Sequence, residues 1–291
     1  MKASLLPDRG VVGFAGEGAH AFLNGLLTTD VTTLAAGEWR YCALLTPQGK
    51  LIVDAFVTAL PPGQGEGCRF DVPASQQQAF LARMKLYDLR ARYALEDLSG
   101  RLAVMAVWDG TAAALDHPNG ADPRLAALGQ RVMLPPDEAP AVAAAIGADL
   151  VAPEAYEAHR IALGVPRGDV DFAYGDAFPH EADIDQLHGI DFRKGCFVGQ
   201  EVVQRMERRH GARTRVVPVA IAGAPPRQGA AVTADGRPLG TIGSTSGGRG
   251  LALLRLDRVE EALSKGHVLQ AEGATLRLVR PDWIRFDLPH G

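Results

Sequence analysis

Residues 194–201 read KGCFVGQE, inside the longer stretch DFRKGCFVGQEVVQRMERRHGARTR that spans residues 191–215. The longer stretch carries seven Lys or Arg residues against three acidic residues, whereas the whole chain of 291 residues has a formal net charge of −4. The pattern after Gly199 predicts a helix that ends near Arg209. A local excess of positive charge indicates an anion-binding surface, because electrostatic focusing depends on local charge. The alternative is a solvent-exposed helix face with ion pairs.

Cys196 is the candidate reactive residue of this stretch. It lies two residues after Lys194 and just before the predicted helix, and both features favour the thiolate by placing positive potential near the sulfur. The alternative is a buried cysteine that packs as a small apolar residue beside Phe197. The other two cysteines, Cys42 and Cys68, lie in apolar strand-like runs and are expected to be structural. The three cysteines have no CxxC spacing, so the sequence predicts neither a disulfide framework nor a structural zinc site.

The residues before this stretch alternate between helix and strand patterns. Apolar spacing predicts helices at 17–27 and 75–86. The turn sequence TPQG at 46–49 predicts a hairpin between strands at 41–45 and 51–60. The 33 glycines and 19 prolines favour many turns over a bundle of long helices.

The residues after the stretch have a different pattern, in which short β-rich runs alternate with glycine-rich turns, as in a small closed β domain. The sequence therefore predicts two domains, an α+β region at 1–212 and a β-barrel at 213–291. Hydrophobic residues make up 47% and charged residues 22% of the chain, which is typical of a globular protein and not of a disordered one.

Composition also limits the partners and the location. No apolar run approaches the roughly 18 residues that cross a bilayer, and no apolar signal region develops before Pro7, so we expect no membrane partner and a cytoplasmic location. The net charge of −4 and the aromatic content of 6% disfavour nucleic acid as a partner. RNA binding through the basic residues at 205–215 is a third, disfavoured hypothesis.

The segment KGCFVGQE closely resembles the KGC[FY]xGQE signature of the YgfZ family, folate-binding proteins related to the glycine-cleavage T protein. The resemblance covers most of the chain and implies an α+β fold of two interwoven ferredoxin-like subdomains plus a C-terminal β-barrel, arranged as a ring around a central folate cavity. Four further segments are similar to other parts of that family: FLNGLLTTDV at 22–31, LLTPQGKLIVDAFV at 44–57, FPHEADID at 178–185 and GLALLRLD at 250–257.

The same resemblance implies a function, a cofactor and partners. It implies a tetrahydrofolate-binding accessory protein in iron–sulfur cluster assembly or repair, with Cys196 as the reactive residue and iron–sulfur client enzymes or assembly factors as partners. The alternative is a folate-dependent one-carbon transferase or demethylase, in which Asp54 assists amine chemistry near the folate nitrogens. The resemblance leaves both alternatives, an accessory factor and an enzyme, open.

A folate requires acceptors for the pterin N–H groups and cations for the glutamate tail. Asp54 and Glu181 are the candidate acceptors, and their alternatives are a solvent-facing strand residue and a helix-start acid. Lys194 and Arg205 are the candidate tail cations, with Arg208 on the same helix face as Arg205. The predicted site residues in full are Cys196 and Lys194 for the chemistry and Asp54, Glu181, Lys194, Gln200, Glu201 and Arg205 for cofactor binding.

Three histidines, His180, His188 and His210, lie near the signature. Their spacings match no compact template of metal ligands, and surface or loop histidines are the commoner explanation. The sequence therefore predicts no tightly held metal ion.

Overall fold

The computed structural model describes residues 1–112, 115–208 and 212–290. Contacts between residues divide the chain into two compact units. The N-terminal unit comprises Met1–Tyr156 and Leu187–Gln200, and the barrel unit comprises Glu157–Gln186 and Glu201–Gly291.

Strands and helices are named in chain order. The strands are β1 (Lys2–Leu5), β2 (Arg9–Ala15), β3 (Trp39–Leu45), β4 (Leu51–Ala59), β5 (Gly67–Pro73), β6 (Ala94–Asp97), β7 (Ala103–Trp108), β8 (Asn119–Ala121), β9 (Gln130–Leu134), β10 (Asp149–Leu150), β11 (Thr214–Ala222), β12 (Ala231–Ala234), β13 (Arg237–Ser246), β14 (Arg249–Arg255), β15 (Leu269–Ala271) and β16 (Ala274–Leu278). The α-helices are α1 (Ala19–Asn24), α2 (Gln77–Tyr87), α3 (Ala139–Ala145), α4 (Pro153–Ala162), α5 (Gln200–Arg208) and α6 (Leu256–Ser264). Within the described part of the chain, none of the helices combines the length and the apolarity needed to span a membrane.

One sheet of the N-terminal unit contains the predicted hairpin. Its strand order is β3-β4-β5-β2-β6, and all neighbouring strands are antiparallel. Between β3 and β4, Thr46 N donates to Lys50 O at 2.9 Å and Gly49 N donates to Thr46 O at 2.8 Å. Gly49 has a φ of 78°, a left-handed conformation that glycine adopts without the steric cost of a Cβ. The hairpin predicted from the TPQG turn is confirmed, and it places Asp54 in β4.

Helices α1 and α2 pack on this sheet and complete its core. Leu23 of α1 and Phe80 and Met84 of α2 are fully buried there, together with strand residues such as Phe70. Both helices were expected from apolar spacing, and both are confirmed. Helix α1 is shorter than its predicted range of 17–27, because it ends at Asn24 and the chain then turns toward Thr28.

The other sheet of the N-terminal unit is formed by β1 and by β7–β10. Its strand order is β10-β1-β7-β9-β8, with β1 parallel to β10 and the remaining neighbours antiparallel. Helix α3 adds Ala139 and Ala143 to its core. The chain starts in this sheet with β1, forms the whole of the other sheet with β2–β6, and then returns with β7–β10. The two α+β subdomains are therefore interwoven, as expected.

The barrel unit contains six strands in a closed barrel of order β11-β14-β13-β12-β15-β16. Its interior is filled by apolar side chains such as Val217, Ile242 and Leu254. Helix α6, which the sequence analysis did not predict, packs Val259 and Ala262 against this core. The sequence 256–264 (LDRVEEALS) lies between two β runs, and only a short apolar stripe distinguishes it from a polar connection.

Candidate functional site

The signature loop, residues 189–199, is bonded to the chain segment that follows α1. Near the start of the loop, Asp191 N donates to Thr28 O at 2.9 Å. Near its end, Val198 N donates to Gly25 O at 3.3 Å. Main-chain hydrogen bonds therefore hold the signature loop at both ends against one neighbouring segment.

The Lys194 side chain completes this attachment. Its Nζ donates to the main-chain oxygens of Asn24 (2.7 Å), Leu27 (2.7 Å) and Thr29 (2.8 Å). An ammonium group has three N–H donors, so all three are taken by carbonyl groups. These carbonyls lie at and just after the end of α1, where oxygens without helical partners attract a cation. Lys194 therefore braces the signature loop against α1.

This contact gives Lys194 a positioning role. Burial lowers the pKa of Lys194 to about 8, although the carboxylates of Asp30 and Asp191 act in the opposite direction. All three N–H groups of the ammonium are taken by carbonyls, so none is left for the carboxylates of a folate tail. The positive potential that Lys194 was expected to place near the Cys196 sulfur depends on its charge and not on a hydrogen bond, and it stays a prediction.

Cys196 is exposed on the braced loop, shortly before α5 begins at the half-buried Gln200. The adjacent Phe197 is buried, and its ring centroid lies 5.5 Å from Lys194 Nζ. The loop is therefore anchored on both sides of the thiol while the sulfur faces solvent. The alternative in which Cys196 packs as a buried apolar residue is wrong.

Gly199 brings the signature loop against the turn of the β3–β4 hairpin. Its φ is 83°, in the left-handed region, and a Cβ at this position would lie 2.8 Å from Thr46 O and 3.2 Å from Gly49 Cα. Both of these are main-chain atoms, which cannot rotate away. A Cβ on Gly195, in the same loop, would meet nothing within 4 Å. Of these two signature glycines, only Gly199 is required by its surroundings.

The two other thiols are buried, as expected. Burial raises the pKa of Cys68 to about 12 and also raises that of Cys42. Burial is the main cause for Cys42, and the charges of Asp54 and Lys194 act on it in opposite directions. Cys196 is therefore the exposed thiol of the chain.

Asp54 is buried in β4, with a relative exposure of 6%, so the alternative of a solvent-facing strand residue is wrong. The Tyr41 hydroxyl donates to Asp54 Oδ2 at 2.9 Å. Burial, reinforced by the Asp54 carboxylate, raises the pKa of Tyr41 well above its ordinary value. The Tyr41 ring is itself buried and its centroid lies 5.1 Å from that of Phe56, so Tyr41 is a core residue that orients Asp54.

A buried arginine–aspartate network lies next to Asp54. Asp71 accepts hydrogen bonds from Arg9 Nε (2.5 Å) and Arg131 Nε (2.8 Å). Burial of the guanidinium acts to lower the pKa of Arg9, but the charges of Asp71 and then of Asp54 raise it above its ordinary value. Buried charges of this kind persist only when they are paired and hydrogen-bonded. The members of the network are Arg9, Asp71, Asp122, Arg124 and Arg131.

No local sequence pattern reveals this network. Asp71 and Arg131 are 60 positions apart, on strands of different sheets, so no local motif connects them. The available signal is a charged residue inside an apolar strand, as in GCRFDVP of β5 and QRVML of β9. The Arg131 guanidinium carbon lies 3.9 Å from the centroid of the Phe56 ring. Because Phe56 is in β4, this contact connects the network to the strand that carries Asp54.

Asp54 offers carboxylate oxygens, which are the kind of acceptor that the N–H edge of a reduced pterin requires. In a buried setting each hydrogen bond to a carboxylate is stronger than it would be in water. Asp54 would hold the amide and amino N–H groups of the pterin, and Tyr41 would keep the carboxylate in place.

Three other predicted residues, Glu181, Glu201 and Arg205, belong to the barrel unit. Glu181 Oε2 accepts from Phe178 N at 2.8 Å, so its carboxylate bonds back across a turn. The alternative expected for it was a helix-start acid, but residues 179–188 form turns and no helix begins there. Glu201 and Arg205 are exposed in the first and last turns of α5, where each charge interacts favourably with the helix dipole. Arg209, at the predicted end of this helix, lies outside the described residues.

The histidines have different surroundings. His188 is exposed, and His210 lies outside the described residues. His180 is fully buried, and its Nε2 lies 3.3 Å from Glu207 Oε2. One ligand atom each from His180, Asp185 and Glu207 lies within 4.8 Å of the others. Sequence spacing did not reveal this cluster, because Glu207 is 27 positions from His180.

Comparisons with known proteins identify the barrel domain, proteins of similar sequence and a solved structure of similar fold. A family described as "CAF17, C-terminal beta-barrel domain" matches residues 213–286. The iron–sulfur cluster assembly factor IBA57, mitochondrial, of Homo sapiens is 31% identical over 96% of this chain and 84% of that protein. The IBA57 homolog, mitochondrial, of Mycosarcoma maydis is 30% identical over 99% of this chain and 85% of that protein. The crystal structure of glycine cleavage system aminomethyltransferase T from Bartonella henselae matches with a TM-score of 0.74 and 16% identity, over 99% of this chain and 88% of that chain.

These comparisons confirm the α+β fold with a C-terminal β-barrel and refine the resemblance. The relatives carry the name IBA57, whereas the sequence analysis named the related YgfZ family. The expected cytoplasmic location is contradicted, because these relatives are named as mitochondrial proteins. That expectation depended on the lack of a secretory signal and of a membrane span, and neither feature separates the cytoplasm from the interior of an organelle. The chain belongs to the family of IBA57 iron–sulfur cluster assembly factors.

Proposed function

We propose that this protein is a tetrahydrofolate-binding factor for iron–sulfur cluster assembly, in which the Cys196 sulfur contacts the cluster. The observation that carries the proposal is an exposed thiol on a loop braced by Lys194 and anchored by Phe197. The relatives named as iron–sulfur cluster assembly factors support this process for the chain.

Cys196 supplies a single thiolate, and this limits what the protein can do with a cluster. Iron–sulfur clusters are ordinarily held by four cysteine ligands. Cys42 and Cys68 are buried in strands, and burial raises the pKa of each thiol, so neither is available to complete the set. The other ligands must come from a partner, either an assembly factor that delivers the cluster or a client enzyme that receives it. Cys196 would then be a ligand of a shared cluster during transfer.

The braced loop suits a ligand that must meet a partner. A group held in its binding geometry before contact loses less conformational entropy on binding. Three carbonyl contacts to Lys194, the buried ring of Phe197 and the close approach at Gly199 all restrict the loop that carries Cys196. The signature residues around the cysteine therefore act on position, and the cysteine acts on the cluster.

Asp54 is the proposed anchor for the pterin of tetrahydrofolate. It is a buried carboxylate of the N-terminal unit, oriented by the Tyr41 hydroxyl. A bound tetrahydrofolate supplies amine nitrogens that can carry a one-carbon unit. The chain shares its fold with an aminomethyltransferase of the glycine cleavage system, and this shared fold supports the proposal.

Titration with tetrahydrofolate under anaerobic conditions tests the folate part of the proposal. We expect saturable binding by calorimetry, and about tenfold or more weaker binding by Asp54→Asn, because the amide replaces an acceptor with a donor. Asp97→Asn, at an exposed carboxylate on β6, is the matched control and should bind like the wild type. Alkylation of Cys196 is then compared with and without folate, and protection would place the thiol and the folate at one site. No saturable heat with the wild type would refute folate binding.

A second candidate function, a folate-dependent one-carbon transferase or demethylase, is favoured by the buried Asp54. A carboxylate near the folate nitrogens could assist proton transfer from an amine substrate. Incubation with tetrahydrofolate and an S-aminomethyl thiol, whose one-carbon unit is already at the oxidation level of formaldehyde, separates the two candidates. Formation of methylene-tetrahydrofolate with release of ammonia and the free thiol over many turnovers, lost in Asp54→Asn, supports the transferase, and binding without turnover supports the assembly factor.

A further inference from the structure

The barrel unit contains a cluster of three metal-ligating groups away from the signature loop. One ring nitrogen of His180, a carboxylate oxygen of Asp185 and a carboxylate oxygen of Glu207 all lie within 4.8 Å of one another. His180 is fully buried and the Asp185 side chain is 3% exposed, whereas the Glu207 side chain is 50% exposed. One side of the cluster is therefore fixed in the protein, and the other side opens to solvent.

The distances suit a bound cation. Ligand atoms about 2.0–2.2 Å from a Zn²⁺ ion are roughly 2.8–3.6 Å apart for tetrahedral or octahedral angles. His180 Nε2 and Glu207 Oε2 are 3.3 Å apart, within that range. All three ligand atoms lie within 4.8 Å of one another, and Glu207 is the half-exposed member of the set. The exposed side leaves room for water molecules as further ligands.

Arg215 holds the Asp185 carboxylate toward this cluster. Its Nη1 and Nη2 donate to Asp185 Oδ1 and Oδ2, each at 2.9 Å, and Nη1 also donates to His180 O at 2.7 Å. Gln186 Nε2 donates to Asp185 Oδ2 at 2.6 Å. Each carboxylate oxygen has two lone pairs, so Oδ1 keeps one for a metal ion. Hydrogen-bonded partners that orient a ligating carboxylate are a usual part of metal sites.

Arg215 also bonds to the neighbouring Asp183, with Nη1 donating to Asp183 Oδ1 at 2.9 Å. The same guanidinium therefore fixes the loop that carries both His180 and Asp185.

We propose that His180, Asp185 and Glu207 form a binding site for one divalent transition metal ion. One imidazole and two carboxylates favour an ion of intermediate softness, such as Zn²⁺ or Fe²⁺, over Ca²⁺, which prefers only oxygen ligands. The site would connect the loop of His180 and Asp185 to α5 through Glu207. The proposal is independent of folate binding and of the role of Cys196.

Metal binding by the full-length protein tests this site directly. The protein is first treated with a chelator, and Cys196 is alkylated so that its thiolate cannot bind the metal. We expect equilibrium dialysis against Zn²⁺ to give one ion per chain. His180→Gln and Glu207→Gln should each weaken binding by about tenfold or more, since each removes one ligand. His188→Gln and Glu260→Gln, at exposed positions outside the cluster, are the matched controls and should bind like the wild type.

Co²⁺ serves as a spectroscopic probe of the same site. We expect visible bands of cobalt bound to nitrogen and oxygen ligands, and their loss in Glu207→Gln, whose half-exposed side chain can change without unfolding the protein. Thermal melting of each variant without metal verifies that the fold is kept. Fewer than about one ion per ten chains at Zn²⁺ concentrations that saturate typical protein sites would overturn the proposal. Equal Zn²⁺ binding by Glu207→Gln, His180→Gln and the wild type would overturn it as well.

Discussion

Gly199→Ala is predicted to destabilise the attachment of the signature loop by about 2–5 kcal/mol. Gly199 has a φ of 83°, and an L-residue other than glycine costs about 1–2 kcal/mol in the left-handed region. The added Cβ would lie 2.8 Å from Thr46 O and 3.2 Å from Gly49 Cα, and relief of such an overpacked contact costs about 1–3 kcal/mol. The two costs act together, because the left-handed backbone is what directs the Cβ at the turn.

Hydrogen exchange is the direct assay for this prediction. The chain has two compact units, so a single denaturation curve does not isolate the loop. The Asp191 and Val198 amides, which bond to Thr28 O and Gly25 O, should lose protection in Gly199→Ala. Gly195→Ala is the matched control in the same loop.

The control differs from the test position in its surroundings. A Cβ on Gly195 meets nothing within 4 Å, so its effect should stay within about 0.5 kcal/mol. Equal loss of protection in Gly195→Ala and Gly199→Ala, or unchanged protection in both, would refute the view that the loop is held by its approach to the hairpin turn.

Two further predictions concern buried charges. The pKa of Lys194 is about 8 in the folded chain and about 10.5 in the unfolded chain, so between these pH values only the unfolded chain keeps the proton. The free energy of unfolding should therefore rise with pH across this window, and Lys194→Met should lack that rise. Parallel stability curves for wild type and Lys194→Met would contradict this. Arg131→Met should cost about 3–5 kcal/mol, measured by chemical denaturation, because Asp71 and Asp122 each lose one of two arginine partners. With the neighbouring Asp54, three buried carboxylates then face the two remaining guanidinium groups of the network, so adding Asp71→Asn should recover part of the loss. A loss that Asp71→Asn does not reduce would argue against an unbalanced charge as its cause.

The sequence predicted local features more successfully than distant ones. The hairpin around TPQG follows from a turn whose residues are neighbours, and the exposed Cys196 lies in a contiguous signature. The role of Lys194 could not be read from spacing, because its three partners are main-chain oxygens at the end of α1, far away in the chain. Every residue has a main-chain carbonyl, so the sequence does not show which carbonyls accept a hydrogen bond from a distant side chain.

The buried network and the metal-ligand cluster were missed for a related reason. Asp71 meets Arg131 only because the two sheets of the N-terminal unit interweave, and that pairing is a property of the topology. His180 meets Glu207 only because the loop before the signature folds beside α5. A charged residue in an apolar strand signals that a partner exists, and the fold decides which one.

The most direct test of the central claim is restoration of iron–sulfur enzyme activity in cells that lack this protein. Wild-type protein and the matched variant Cys68→Ala, at a buried thiol, should restore the activity. Cys196→Ser should fail to restore it while accumulating to the same level and melting at the same temperature, because a serine hydroxyl does not replace a thiolate as a cluster ligand. Full restoration by Cys196→Ser would contradict the assignment of the cluster contact to this sulfur.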